Sequence, residues 1–390
     1  MKQSSTHHPA KRKTFADLPL SPELLLATEE MGFETLTPIQ EKAIPTLLEG
    51  KDLIGIAQTG TGKTAAFSTP LIERLIKTRP DAYVPKTMRA LILAPTRELA
   101  RQIADAIRSL TAHVSFRTTL VHGGTSAKPQ IKAINRGVDV VVATPGRLLE
   151  LFESDDLWLG KVEYFVLDEA DRMLDMGFIR DIRKIASQLP KKKQTLLFSA
   201  TMPKPVEKLA NGLLTDPVRV QIAKAATTAD KVEQHILMVA KDRKRSLLDH
   251  LLKDDVYSKV LVFVRTKHGA NRLRTFLDKR GISVAAIHGD KAQNTRQKAL
   301  EGLRNGDVRV LVATDVAARG IDIDDISHVI NYDLPEDPDN YVHRIGRTAR
   351  AGARGISLSF CTPDQKPLLK TIEKITRQRI SIQKDHPFQP

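Results

Sequence analysis

The sequence predicts an α/β fold in two tandem domains, each a mostly parallel sheet with helices on both faces. Three observations carry this. Short β-branched runs alternate with amphipathic stretches along most of the 390 residues, the pattern of strand–helix–strand units. The alternation lapses once, in the small, polar stretch Ala223–Asp230, and then restarts. At roughly 150 residues per domain, the length suits two domains.

The elements follow in chain order. In the first half "DLIGIA", "RALILA", "FRTTLV", "VDVVVA", "YFVL" and "TLLFSA" read as strands. Between them lie helical patterns such as "TRELARQIADAIRSL", where Leu99, Ile103, Ile107 and Leu110 recur at helical spacing. After the lapse, "HILMVA", "KVLVFV", "ISVAAI", "VRVLVA", "SHVINY" and "GISLSF" repeat the pattern. The expected boundaries are a disordered basic arm at 1–13, a first domain at 14–222, a linker at 223–231, a second domain at 232–380 and a short tail at 381–390.

Composition narrows the function. A formal net charge of +15 points to a polyanionic partner, nucleic acid first. Aromatics are few, which argues against binding built on many stacked bases. The single cysteine, Cys361, excludes a disulfide framework and a Cys-rich zinc site, and its setting in "ISLSFC" reads as core. The start, "MKQSSTHHPAKRK", has no apolar stretch of a signal peptide. No uncharged apolar run approaches the roughly 18 residues of a membrane span. A cytoplasmic protein is expected.

Two motifs carry phosphate chemistry. "AQTGTGKT" runs from Ala57 to Thr64, between a strand and a helix-like stretch. It is a phosphate loop with Ala57 where the strict form has Gly. Thr59, Gly60, Thr61 and Gly62 would wrap a polyphosphate, Lys63 would neutralise its outer oxygens, and Thr64 would ligate Mg²⁺. Such a loop needs a strand-end acid to hold the metal. Asp168, ending "YFVL", suits that role, and Glu169 could orient or deprotonate water. The carboxylates of Asp168, Glu169 and Asp171 would repel unless Mg²⁺ and an arginine supplied positive charge.

With these residues in view, the chain resembles the DEAD-box ATP-dependent RNA helicases. The ordered set "GFETLTPIQ", "AQTGTGKT", "PTRELA", "GG", "TPGR", "DEAD", "SAT", "VFVRTK", "ATDVAARGID" and "HRIGRTARAG" carries the likeness from about Phe15 to about Ile380. The short arm and nearly bare core resemble bacterial members, the RhlE type among them. One departure is Ala349, where the family commonly has the middle Gly of GRTGR. No guanine-recognising NKxD and no transporter LSGGQ is present.

The resemblance implies tandem RecA-like domains, ATP and Mg²⁺ as cofactors, and RNA as partner. It implies that Gln40 reads adenine and that Phe15 packs on it. Gln40 also fits a capping box with Thr37 at a helix started by Pro38, and the two readings stand together. Arg347 and Arg350 resemble arginine fingers, supported by His343 and Arg344, and Asp322 would take the ribose. Ser199 and Thr201 either cap a helix or couple the acidic tetrad, through Asp171, to domain closure. For RNA, the matching positions are Pro95, Thr96, Arg97, Gly123, Gly124, Thr144, Pro145 and Arg147. In the second half they are Arg265, Thr266, Arg296, Thr314 and Asp315.

The expected function is RNA-stimulated ATP hydrolysis coupled to domain closure and local, non-processive unwinding of short duplexes. An ATP-gated RNA clamp or remodelling scaffold is the alternative, and a processive DNA helicase a remoter one. Ribosome-assembly or RNA-decay proteins are the partners the resemblance suggests.

Overall fold

A computed structural model describes residues 13–58, 60–222, 232–318, 326–336, 338–348, 355–376 and 378–390. The expected linker and all of the expected arm except Lys13 lie outside the described residues, as do Thr59, Asp322, Ala349 and Arg350. The chain divides into two compact units, Met1–Lys224 and Ala225–Pro390.

The first unit holds seven strands: β1 (Leu53–Ile56), β2 (Met88–Leu93), β3 (Thr118–Val121), β4 (Val138–Ala143), β5 (Tyr164–Leu167), β6 (Gln194–Ser199) and β7 (Val218–Gln221). They form one sheet in the order β3-β4-β2-β5-β6-β1-β7, and every pairing is parallel. β2, β4, β5 and β6 are buried at every position. That is what a strand covered by helices on both faces requires, and it explains their unbroken apolar runs. One core, around Ile39, Phe67, Ile103 and Phe198, covers one face. A second, around Leu93, Phe165, Met173 and Ile182, covers the other.

The helix Arg97–Leu110 shows how sequence becomes packing. Leu99, Ile103, Ile107 and Leu110 fall on its buried face, as their spacing predicts. Thr96 caps it, its Oγ1 accepting from the Leu99 amide at 3.3 Å.

The second unit repeats the plan with β8 (Val232–Met238), β9 (Val260–Phe263), β10 (Val284–Ile287), β11 (Val310–Ala313), β12 (His328–Asn331), β13 (Gly355–Cys361) and β14 (Ser381–Gln383). The order is β10-β11-β9-β12-β13-β8-β14, again all parallel. Adding seven to each strand number of the first sheet gives the second. β14 lies in the stretch expected as a tail, and Phe388 beyond it packs on the core. Cys361 is buried in β13, and burial pushes its thiol up to about 11, so it is a core residue and no nucleophile. Among the described residues no helix is long and apolar enough to cross a membrane.

A parallel sheet places all its carboxyl strand ends on one edge, where open α/β folds bind ligands. In the first unit that edge carries the phosphate loop after β1, Thr96 after β2, Gly123 and Gly124 after β3, Thr144 after β4, the acidic tetrad after β5 and Ser199–Thr201 at the end of β6.

Candidate nucleotide and RNA site

The phosphate loop turns into the helix Lys63–Lys77. Gly60 and Gly62 sit at φ +81° and +88°, which side chains resist. A Cβ on Gly62 would stand 2.5 Å from Gln40 Nε2. Lys63 is buried and its Nζ donates to the Ala57 carbonyl at 2.9 Å, closing the loop on itself. The Thr61 hydroxyl donates to the Gln58 carbonyl at 2.7 Å. Thr64 lines the adjoining cavity.

Asp168 is buried at the end of β5. Burial lifts its carboxyl to about 6, with Lys63 opposing the rise and Glu169 and Asp171 adding to it. A carboxylate so placed lacks a full counter-charge. That lack fits a divalent cation, which Asp168 and Thr64 would hold. Glu169 holds a left-handed backbone, φ 54° and ψ 54°, strained for a residue with a side chain. Its carboxylate is paired with Arg172. Arg172 is therefore the arginine that the crowded tetrad requires, although no motif reading named it. Its Nε and Nη2 are buried without a partner among the described residues.

Asp171 holds the Ser-Ala-Thr segment. Its Oδ2 accepts from the Thr201 amide and hydroxyl at 2.8 and 2.7 Å. The Ser199 hydroxyl accepts from the Asp171 amide at 3.1 Å. The helix that follows, Lys204–Leu213, has Pro203 at its cap and no side-chain capping bond. Capping of that helix is thus not what Ser199 and Thr201 do.

Beside the loop lies a cavity of about 470 Å³, lined by Phe15, Phe33, Thr37, Gln40, Gly62 and Thr64 among others. Gln40 Oε1 accepts from the Thr37 amide at 2.8 Å, one half of the expected capping box. Thr37 Oγ1 faces the Gln40 backbone amide to complete the box, the looser of its two contacts. Gln40 Nε2 also donates to the Gly62 carbonyl at 3.2 Å, tying the helix start to the phosphate loop. Phe15 is only 3% exposed and stacks on Phe33 at 5.5 Å. Phe33, half-buried, presents the more open ring. The sequence reading passed over it, though it stands in the quoted "GFETLTPIQ".

The strand ends farther along gather cations. Gly124, at φ +77°, lies under Arg97: a Cβ there would fall 1.8 Å from Nη1. Arg147 Nη1 donates to the Thr125 carbonyl at 3.1 Å and Nε to Glu150 at 2.9 Å. Gln130 braces the turn between them, bonding the amide and carbonyl of His122 at 3.2 and 3.1 Å. His122 is held below its ordinary value, chiefly by burial, with Arg97, Arg101 and Arg147 all adding to the drop. Arg101, outside every motif, thus joins the same cluster. Thr144 begins the helix Pro145–Glu153 without a side-chain cap bond. Pro95 stands just ahead of the Thr96 cap and is buried.

In the second unit, Thr266 caps the helix Lys267–Asp278 through the Gly269 amide at 3.0 Å. Arg265 pairs with Glu336 at 3.2 Å. Arg296 Nη2 reaches the Ala317 carbonyl at 3.5 Å, beside buried Thr314. Asp315, expected at the RNA, has both carboxylate oxygens on Arg344 at 2.5 and 2.7 Å. Arg344 is buried and also donates to Asn331 and to the Asp333 carbonyl. The Asp315 side chain is thus committed within its own unit. Arg347 is largely buried, and its Nε donates to the His343 carbonyl at 3.3 Å. The His343 side chain is exposed.

A phosphate loop and a strand-end acidic pair on one edge of a parallel sheet define a P-loop nucleotide hydrolase. The comparisons narrow this. Residues 37–209 match the DEAD/DEAH box helicase family and 243–352 the helicase conserved C-terminal domain. The ATP-dependent RNA helicase RhlB of Pseudomonas syringae pv. tomato is 49% identical over 381 residues, 96% of either chain. The DEAD-box ATP-dependent RNA helicase CshA of Bacillus cereus is 43% identical over 94% of this chain and 69% of its own. S. cerevisiae Dbp5 bound to RNA and ADP BeF3 superposes with a TM-score of 0.84 at 34% identity, over 95% of both chains. Mss116p bound to ssRNA and AMP-PNP gives 0.85 at 31%, over 97% of this chain and 80% of that one.

The chain belongs to the DEAD-box ATP-dependent RNA helicases. It is an RNA-dependent ATPase with the tandem RecA-like fold that the sequence predicts. The bacterial relatives named here are RhlB and CshA proteins rather than RhlE ones.

Proposed function

We propose that ATP hydrolysis drives a cycle of domain closure that locally opens short RNA duplexes without processive travel. The observation that carries it is the buried Asp168 set against Lys63 on the first unit's ligand edge. Lys63, with the loop amides from Thr59 to Thr64, would hold the outer phosphates. Asp168 and Thr64 would hold Mg²⁺, which neutralises charge on the phosphate oxygens. Glu169 would orient and deprotonate the attacking water, steadied by Arg172. Gln40 and Phe33, backed by Phe15, would hold the adenine, and Asp322 the ribose.

Arg347 and Arg350 would be brought to the terminal phosphate from the second unit, with His343 and Arg344 shaping that segment. RNA would lie along the strand-end cations: Arg97 and Arg147, the turns at Gly123 and Gly124, and the helix starts at Pro95–Thr96 and Thr144–Pro145. Arg265, Thr266, Arg296 and Thr314 would continue the track, and at Asp315 only the backbone is left to contact it. Such backbone contacts carry little sequence information and depend steeply on salt. The enzyme would work in the cytoplasm on structured RNA, with ribosome-assembly or RNA-decay proteins as partners.

The test is ATP turnover with and without RNA, for this chain and for Glu169→Gln. RNA should stimulate the parent chain, and the variant should lose roughly 10²- to 10⁴-fold as expected for a general base. Unwinding is scored on the same samples with short duplexes. ATP-dependent retention of RNA without strand release would favour the clamp. Equal stimulation by DNA would favour the DNA helicase.

A further inference from the structure

Because the two sheets share one strand order, residues at the first unit's ligand edge have topological counterparts in the second. β8 answers to β1 and β12 to β5. Lys63 opens the helix after β1, and Lys244 opens the helix Lys244–Leu251 after β8. Asp168 follows β5, and Asp333 follows β12 with Tyr332 between. The pairing recurs: Lys63 is the main positive neighbour of Asp168, and Lys244 Nζ lies 3.2 Å from Asp333.

The second unit lacks the glycine loop. Between β8 and Lys244 the chain makes a tight 3-10 turn, Lys241–Arg243, with no residue at positive φ. Backbone amides are therefore not splayed to wrap a polyphosphate. Lys244 is buried and engaged, donating to the Tyr332 carbonyl at 2.8 Å as well as to Asp333. Hydrolysis has no machinery here.

A cavity of about 360 Å³ nevertheless persists at this place. Lys241, Lys244, Arg245, Arg265 and Arg272 line it against two carboxylates, Asp333 and Asp364. Five cations against two anions leave an excess of three. Glu336, beyond the lining, offsets only Arg265. The side chains of Lys241 and Arg272 make no hydrogen bond or close ion pair among the described residues, although Lys241 lies near enough to Asp364 to help lower its carboxyl. Thr266, at the same wall, caps a twelve-residue helix whose positive dipole end favours an anion there, although the Thr266 hydroxyl already takes the Gly269 amide.

We propose that this cavity binds phosphate groups through side chains, a retained anion site where the first unit has its phosphate loop. With Glu336 counted the excess is two, and one carboxylate would still leave positive charge unmatched. A phosphate carries up to about two negative charges and several acceptor oxygens, which forked arginines meet in pairs. The phosphates come from a free oligophosphate or from RNA. Lys241, Arg245 and Arg272 lie outside every helicase motif, so the site is separable from the RNA track even though Arg265 and Thr266 border both.

The test is calorimetric titration of the full chain carrying Lys63→Ala, which disables the first phosphate loop. Tripolyphosphate and single-stranded RNA are titrated separately, before and after adding Lys241→Gln with Arg272→Gln. Tripolyphosphate should bind one to one, and the added substitutions should weaken it roughly tenfold or more, as expected for losing charge-assisted contacts. If tripolyphosphate fails to bind but RNA affinity falls by that factor, the phosphates are those of RNA. If neither ligand responds, the proposal is overturned. Arg245→Gln alone serves should the double variant lose its melting transition. Failure of RNA-stimulated turnover in the parent chain would count against the proposed cycle and leave the tripolyphosphate result standing.

Discussion

Gln40 does two structural jobs with one amide and has capacity for a third. Its Oε1 accepts from Thr37 and its Nε2 donates to Gly62. A second lone pair and a second hydrogen remain, enough to meet adenine N6 and N7. Gln40→Glu keeps the Thr37 bond but sets a carboxylate against the Gly62 carbonyl, so ATP binding should weaken roughly tenfold from the lost hydrogen bonds alone. The ratio of ATP to GTP affinity separates the roles. It should collapse in the variant; a preserved ratio with both affinities reduced would mean Gln40 serves only the loop. His122 offers a second residue-scale prediction. Burial, then Arg97, Arg101 and Arg147, hold it below 6.5, while the Gly123 carbonyl opposes the drop. The folded state therefore resists protonation, and the stability this residue contributes is lost as pH falls below 6.5. RNA phosphates on those arginines would lift His122 back, so binding takes up a proton. RNA affinity should rise as pH falls from about 7.5 toward 6, the window where His titrates. His122→Gln should flatten that rise, and an unchanged slope would sever His122 from the RNA track.

At the scale of elements, the decisive link is between the turn after β5 and the end of β6. Asp171 accepts twice from Thr201, and Ser199 accepts from the Asp171 amide. Thr201→Val removes one of these bonds without touching Lys63, Asp168 or Glu169. ATP turnover should persist while strands separated per ATP fall roughly tenfold, a coupling loss of ordinary size. Equal loss of both activities would make Thr201 part of the hydrolytic site. Most elements were legible because buried parallel strands must be unbroken apolar runs and helices must show one apolar face. β7 and β14 were not, for a physical reason. Each is an outer strand beside β1 or β8, so "VRVQ" is only partly buried and "SIQ" is exposed throughout. The site divides the same way. The loop and tetrad announce themselves because phosphate and metal fix residue type and spacing. Arg172, Arg101, Gln130 and Phe33 do not, because their roles come from what folding sets beside them. Asp315 shows the converse: its motif suggested RNA, but Arg344 from a distant stretch claims its carboxylate.

For the whole molecule, each unit has its own sheet and its own cores. The first unit supplies the phosphate loop and the acids, and Arg347 belongs to the second. If RNA gates hydrolysis by drawing the two together, closure and chemistry must be separable. Dyes placed on exposed residues of the two units should show high energy transfer only when an ATP mimic and RNA are both present. Arg347→Ala should still close, because RNA and nucleotide contacts elsewhere are intact. Its turnover should nevertheless fall roughly 10³-fold or more, the usual worth of an arginine finger. ATP affinity without RNA should change little, since Arg347 would not meet the nucleotide in that state. High transfer with ATP alone, or an Arg347→Ala chain that still hydrolyses at the RNA-stimulated rate, would separate RNA binding from arginine delivery. RNA would then have to act within the first unit, through Arg97, Arg147 and the Asp171–Thr201 link.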